Sequence, residues 1–118
     1  MYLSPNGCLA WSLPVKTQVG PRFQIVHGFG LVINVDAQLG ADVVVRQGVT
    51  IGNKGDGGPS PVIGDGVSIG SGACVIGALT IGAQARIGSN AVVLHDVPKG
   101  ASVVGNPGRV LAARSAEV

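Results

Sequence analysis

At 118 residues the chain is long enough for one domain. It is 46% hydrophobic but only 3% aromatic, and its 20 glycines recur in phase, which excludes a disordered or low-complexity chain. A net charge of +2 is too small to indicate a nucleic-acid partner, and two cysteines without metal or redox spacing, Cys8 and Cys74, read as free thiols of a reducing cytoplasm.

Residues 1–12, with Tyr2, Pro5 and Trp11, are irregular and read as a cap over the open end of the periodic region that begins at Leu13. They lack the basic start of a secretory signal. From Leu13 an aliphatic residue leads every sixth position: Leu13, Val19, Ile25 and Leu31. The phase then shifts by two, because Leu39, Val45 and Ile51 lead next. The break falls on His27-Gly28-Phe29-Gly30, and a break in a regular scaffold is where function is expected. Residues 53–61, Asn-Lys-Gly-Asp-Gly-Gly-Pro-Ser-Pro, replace one full six and should leave the scaffold as a loop, since proline and glycine deny strand pairing.

The period is clearest over residues 63–97. Ile63, Ile69, Val75, Ile81, Ile87 and Val93 lead, and Val67, Ala73, Leu79, Ala85, Ala91 and Val97 follow four places after each. Three places after the leads stand Gly66, Gly72, Ala78, Gln84, Asn90 and Asp96, mostly residues that tolerate a left-handed corner. The uncharged run 66–85 has the length of a membrane span, but its five glycines and strict period exclude one. Pro98-Lys99-Gly100 ends the regular run, residues 103–111 form one more extended unit, and 112–118 a short helix or tail.

Helices repeat every 3.6 residues and strands every two; a period of six belongs to a hexapeptide solenoid. Each six is a short strand and a corner, three sixes close a triangular coil, and coils stack through parallel backbone hydrogen bonds. The reading is an all-β parallel β-helix of about five coils of about 18 residues each. It divides into a cap over 1–12, a β-helix over 13–97 with a loop at 53–61, and a closing segment over 98–118. A narrow aliphatic interior accounts for the shortage of rings. So thin a solenoid leaves much apolar side surface, which predicts a homotrimer with parallel axes.

Two histidines are present. His27 lies at the phase break beside two glycines that open space around it, and an imidazole suits general-base work near neutrality; the alternative at this point is a structural histidine hydrogen-bonded to a neighbouring coil. His95 occupies a regular outward position and is not a candidate. Two histidines are too few for a three-histidine zinc site, so no metal is expected. Gly48-Val49-Thr50-Ile51-Gly52-Asn53-Lys54 lacks the spacing of a phosphate cradle. The 53–61 loop reads as a surface hairpin-like turn or as a lid over a neighbouring subunit's cleft; its departure from the coil between His27 and the C-terminal coils favours the lid. Arg86, Lys99, Arg109 and Arg114 gather in the last third, as solvated surface or as a site for a phosphorylated ligand.

The run from Leu13 to Leu111 resembles the left-handed parallel β-helix acyltransferases, and among them the catalytic domain of serine acetyltransferases. The resemblance is carried by His27-Gly28-Phe29-Gly30-Leu31-Val32-Ile33, Gln47-Gly48-Val49-Thr50-Ile51-Gly52, Ile63-Gly64-Asp65-Gly66-Val67, Ile87-Gly88-Ser89-Asn90-Ala91-Val92-Val93 and the closing Gly105-Asn106-Pro107. It implies the left-handed coil and an acetyl-CoA-dependent O-acetyltransferase. In this resemblance His27 takes the proton of an acceptor hydroxyl, of L-serine or a sugar, and the oxygen attacks the thioester directly. Acetyl-CoA would lie between adjacent subunits against Ser71, Ser89, Asn106, Pro107 and Arg109, with Arg86 near its phosphates. Three positions depart from the serine acetyltransferase pattern. Ser12 stands for the aspartate that orients the histidine, Ser60 for a second histidine, and Val26 for the acidic residue before His27. Those departures motivate a second reading, a catalytically weak or inactive homologue serving as an assembly or interaction module, and a nucleotide-sugar N-acetyltransferase is a third.

Overall fold

The computed structural model describes residues 16–55 and 57–111, together with the backbone of Trp11–Ser12. Of the expected irregular cap over residues 1–12, Trp11–Ser12 instead form a strand in register with Leu31–Val32, and residues 1–10 with Cys8 lie outside the described residues, as do Leu13 and the 112–118 tail with Arg114. Apart from the 53–61 loop, everything described is strand or corner, and no helix among the described residues is long and apolar enough to cross a membrane.

Each six puts its lead residue on a two- or three-residue strand and the rest in a corner, so the strands assemble into three parallel faces. Face A stacks β1 (Trp11–Ser12), β4 (Leu31–Ile33), β7 (Thr50–Gly52), β10 (Cys74–Ile76) and β13 (Val92–Val93). Face B stacks β2 (Gln18–Val19), β5 (Gln38–Leu39), β8 (Val62–Ile63) and β11 (Thr80–Ile81), and Val97 bridges in parallel to Ile81 above them. Face C stacks β3 (Gln24–Val26), β6 (Val44–Arg46), β9 (Ser68–Ile69), β12 (Arg86–Ile87) and β14 (Ser102–Val104), closed by β15 (Arg109–Val110), which runs antiparallel to β14. Four complete three-strand turns are thus formed, and β13 and β14 continue two of the faces beyond them.

The lead residues form inward columns. On face A these are Ile33, Ile51, Val75 and Val93; on face B Leu39, Ile63, Ile81 and Val97; on face C Val45, Ile69, Ile87 and Val103. The second apolar set, including Leu31, Val49, Ala73 and Ala91, fills the space between columns. All of these are buried, and the only buried polar or charged residues among those described are Thr17 and Ser60. Backbone bonds repeat from turn to turn at the same place: Val32 N donates to Val49 O, Thr50 N to Ala73 O and Cys74 N to Ala91 O, each at 2.9 Å.

The register differs from the sequence reading at Leu31. Ile33, not Leu31, leads its six, because it pairs with Ile51. Two extra residues in the preceding corner delay the strand, and Leu31 takes the second apolar slot. The corners also refine the expectation. One column of left-handed residues runs Arg22, Asp42, Gly66, Gln84 and Gly100, and a second runs Gly30, Gly48, Gly72 and Asn90. At the third corner Ala78 and Asp96 do not take positive φ; Gly77 does, at 111°. In the first column Arg22 Nε and Nη2 donate to Asp42 Oδ1 and Oδ2 at 2.6 and 3.0 Å. That hydrogen-bonded pairing raises the Arg22 value and lowers that of Asp42. Its contribution, small for so exposed a pair, is present above the ordinary carboxylate range and is lost as acid takes Asp42 through its lowered value.

Directly after the lead residues of face B stands a row of glycines, Gly20, Gly40, Gly64 and Gly82, each against the backbone of the next turn. A Cβ on Gly64 would sit 2.7 Å from Ala83 N and 2.9 Å from Ile81 O, so only hydrogen fits between these turns. Gly64→Ala should therefore cost about 1–3 kcal/mol, as overpacking does. A calorimetric melting temperature unchanged within a degree would show that the turns can part there.

Candidate active site

His27 stands where the ladder of face C turns towards face A. Val26 is still in register with Arg46. After the turn, Gly48 N donates to Phe29 O at 2.9 Å, as Gly72 N does to Gln47 O at 2.9 Å and Asn90 N to Ser71 O at 2.8 Å. Phe29 is thus the counterpart of Gln47 and Ser71, and His27-Gly28 is the two-residue insertion. His27 has φ 58°. Arg22, Asp42, Gln84 and Asn90, the other described non-glycine residues with positive φ, all belong to the regular corner columns. His27 alone adopts it off-column. A left-handed φ on a residue with a Cβ costs on the order of 1 kcal/mol, and such strain concentrates at functional positions. The residue is exposed, and no side-chain hydrogen bond holds its ring among the described residues.

Above it along the same edge come Gln47, Ser71 and Ser89, at roughly 4.8 Å per turn. Beside that edge, the outer side of face C forms a groove of about 410 Å³. Arg46, Ser68, Arg86, Ser89, Ser102 and Leu111 line it. Arg46 Nη1 donates to Ser68 Oγ at 3.2 Å and to Ile69 O at 3.1 Å, which fixes its guanidinium over β9. A second hollow of about 540 Å³ shares Ser68, Arg86 and Ser102. Two guanidiniums and several hydroxyls on one face suit an anionic ligand.

The structure therefore brings Arg86 and Ser89 together in the groove and sets Ser71 on the histidine's edge. Asn106 and Pro107 are in the exposed turn between β14 and β15, and Arg109 begins β15; none of the three lines the groove. Arg46, Ser68 and Ser102 are groove residues that the sequence reading missed. The signal was present, since Ser68, Arg86 and Ser102 all immediately precede lead residues of the same face.

The 53–61 loop springs from the opposite edge, between faces A and B. Gly77 N donates to Gly52 O at 2.8 Å, and the Lys54 stem lies against Gly77. At the loop's far root Ser60 is buried; its Oγ donates to Asp36 Oδ1 at 2.5 Å and accepts from Asn34 Nδ2 at 3.3 Å. Ser60 is thus a clamp for the loop root. Within one chain the loop and His27 occupy different edges. Ser12 pairs in the ladder opposite Val32, and its side chain lies outside the described residues. No group of three or more His, Cys, Asp or Glu is gathered among the described residues.

Residues 60–95 match the family of bacterial transferase hexapeptide repeats (six repeats). The chain is 45% identical over 103 residues to a serine acetyltransferase of Bacillus licheniformis, covering 86% of this chain and 48% of that protein. It is 42% identical over 45 residues to a putative colanic acid biosynthesis acetyltransferase of Escherichia coli K12, covering 38% of this chain and 28% of that protein. The solved structure of a serine acetyltransferase in complex with CoA superposes with a TM-score of 0.80 at 33% identity, over 88% of this chain and 42% of that one. The chain thus spans about half the length of the serine acetyltransferases it matches. By repeat, fold and similarity the chain resembles the hexapeptide-repeat acyltransferases and is serine acetyltransferase-like.

Proposed function

We propose that the protein is an acetyl-CoA-dependent O-acetyltransferase with His27 as general base. The observation that carries the assignment is His27 itself: an exposed imidazole on a two-residue insertion, held at φ 58° outside the regular corner columns. A ring nitrogen of His27 takes the proton of an acceptor hydroxyl, and the oxygen attacks the thioester carbonyl. The tetrahedral intermediate collapses, the carbon–sulfur bond breaks, and the CoA thiolate leaves with the proton returned from the imidazolium. The balance is acetyl-CoA plus alcohol giving ester plus CoA, with no acyl-enzyme. Arg46 and Arg86 offer charge to the phosphates of the donor, and Ser71 and Ser89 lie along the edge that leads from them to His27. The named activity of the relatives and the CoA complex of a structural neighbour support this donor.

The working unit in this reading is a trimer. The outward side of face A carries Val32, Thr50, Cys74, Ile76, Val92 and Leu94, with no charge among them. The 53–61 loop can cover a histidine only on a neighbouring chain. A thiol-release assay with acetyl-CoA and a panel of hydroxyl acceptors tests the function, run on material whose mass is fixed by sedimentation. Turnover by a trimer is expected. Acetyl-CoA binding without release of thiol to any acceptor would favour the assembly module, turnover with amino-sugar nucleotides alone the N-acetyltransferase, and a monodisperse monomer at micromolar concentration would remove the trimer.

A further inference from the structure

We infer that Phe29 is a stacking platform for the acceptor, and that this corner selects an uncharged carbohydrate rather than a free amino acid. The inference rests on the acetyl-transfer reading above and names its acceptor class. Phe29 lies two residues after His27 and is 77% exposed, whereas the other exposed large hydrophobics reach no more than 48%. The chain's other phenylalanine, Phe23, packs against the core. Nothing among the described residues of its own chain packs over this ring, two residues from the base, in a chain with so few rings; in the proposed trimer it faces the cleft in which the acceptor would lie.

The charges around it point the same way. The side chains that follow Phe29 up the edge are Gln47, Ser71, Ser89 and Asn90, all neutral. Every described carboxylate is already engaged elsewhere. Asp36 accepts from Ser60 Oγ, Asp42 from Arg22, Asp65 from Ala41 N at 2.8 Å and Asp96 from Thr80 N at 2.9 Å. All four sit at corners other than the one that carries His27. A free amino acid brings an ammonium group that needs an anionic partner, and the described residues of this corner supply none. A pyranose brings a face of C–H groups for the ring, one hydroxyl for His27 and further hydroxyls for amide and serine groups such as Gln47 and Ser71.

The test is thiol release from acetyl-CoA by the full chain, with methyl pyranosides and L-serine as alternative acceptors. Some methyl pyranoside should exceed L-serine in kcat/KM by tenfold or more. Phe29→Ala should raise KM for that pyranoside by about 5–100-fold, the scale of losing one stacking ring. It should change kcat much less and leave the KM for acetyl-CoA and the melting temperature in place. Phe29→Tyr should restore KM. L-serine as the better acceptor, or an unchanged pyranoside KM in Phe29→Ala, overturns the inference while acetyl transfer stands. No thiol release with any acceptor removes the acetyl-transfer reading and this inference with it.

Discussion

Ile69→Asp will abolish cooperative unfolding, while Thr80→Asp will melt within a few degrees of the parent. Ile69 is 0% exposed and sits in the inward column of face C, one turn below Ile87. Its surroundings are Val, Ile and Ala, and no described polar group is placed to accept or donate there. A carboxylate in that column must either remain charged without a partner or bind a proton, at a cost of several kcal/mol in either case. Single domains hold only about 5–15 kcal/mol in total, and in a stacked solenoid each turn supports the next. Thr80 is on β11 with its side chain in solvent. Its nearest electrostatic cost is the Asp96 carboxylate, which accepts the Thr80 backbone N–H at 2.9 Å. Two like charges there are solvated and screened, so the loss is small. Circular dichroism melts of both variants check the register. Similar melting temperatures would mean that the lead residues do not face inward.

His27→Ala is expected to lower kcat by about 10²–10⁴-fold, the contribution of a positioned base, and to leave the dissociation constant for CoA nearly unchanged. In the proposed reaction the proton of the acceptor hydroxyl has no other described base at this corner, and the proposed donor contacts, Ser71, Ser89, Arg46 and Arg86, lie further along the edge and on face C. His95→Ala should change neither quantity, because His95 is an exposed residue outside the groove and outside the His27 edge. His27→Gly separates function from stability. It removes the base but also relieves the left-handed backbone at φ 58°, so it should be as inactive as His27→Ala and more stable than the parent by about 0.5–1 kcal/mol. Full activity in His27→Ala, with whichever acceptor works, would end the catalytic reading.

The period of six made the architecture legible, because the interior accepts one residue type at one phase and the corners accept few others. Ile63 through Val93 could be placed inward from spacing alone. Leu31 could not, since it is as apolar and as buried as Ile33, and only the pairing of Ile33 with Ile51 tells the lead residue from its neighbour. His27 was visible as a break in phase, but its backbone conformation was not. The loop was visible as a missing six, whereas the clamp at its root was not. Ser60 meets Asn34 and Asp36 across 26 and 24 residues of sequence, and no local pattern connects them. The Arg46–Ser68 contact was hidden for a related reason: the groove is assembled from successive turns, so its lining is spread along the chain.

A stack of parallel turns has no intrinsic end, and a bare last turn could template the first turn of another molecule into a growing fibre. The return of β15 against β14 closes that route on face C. It replaces a parallel ladder that could be extended with an antiparallel one facing the wrong way for addition. The same hairpin reaches face A, where Val92 N donates to Gly105 O at 2.9 Å and Gly108 N donates to Val92 O at 2.8 Å, so β13 is also closed at its last rung. The exposed guanidinium of Arg109 adds a charge where a second molecule would have to dock. The seven residues 105–111 thus cover the last rungs of faces A and C, where a second molecule would otherwise find a free parallel edge.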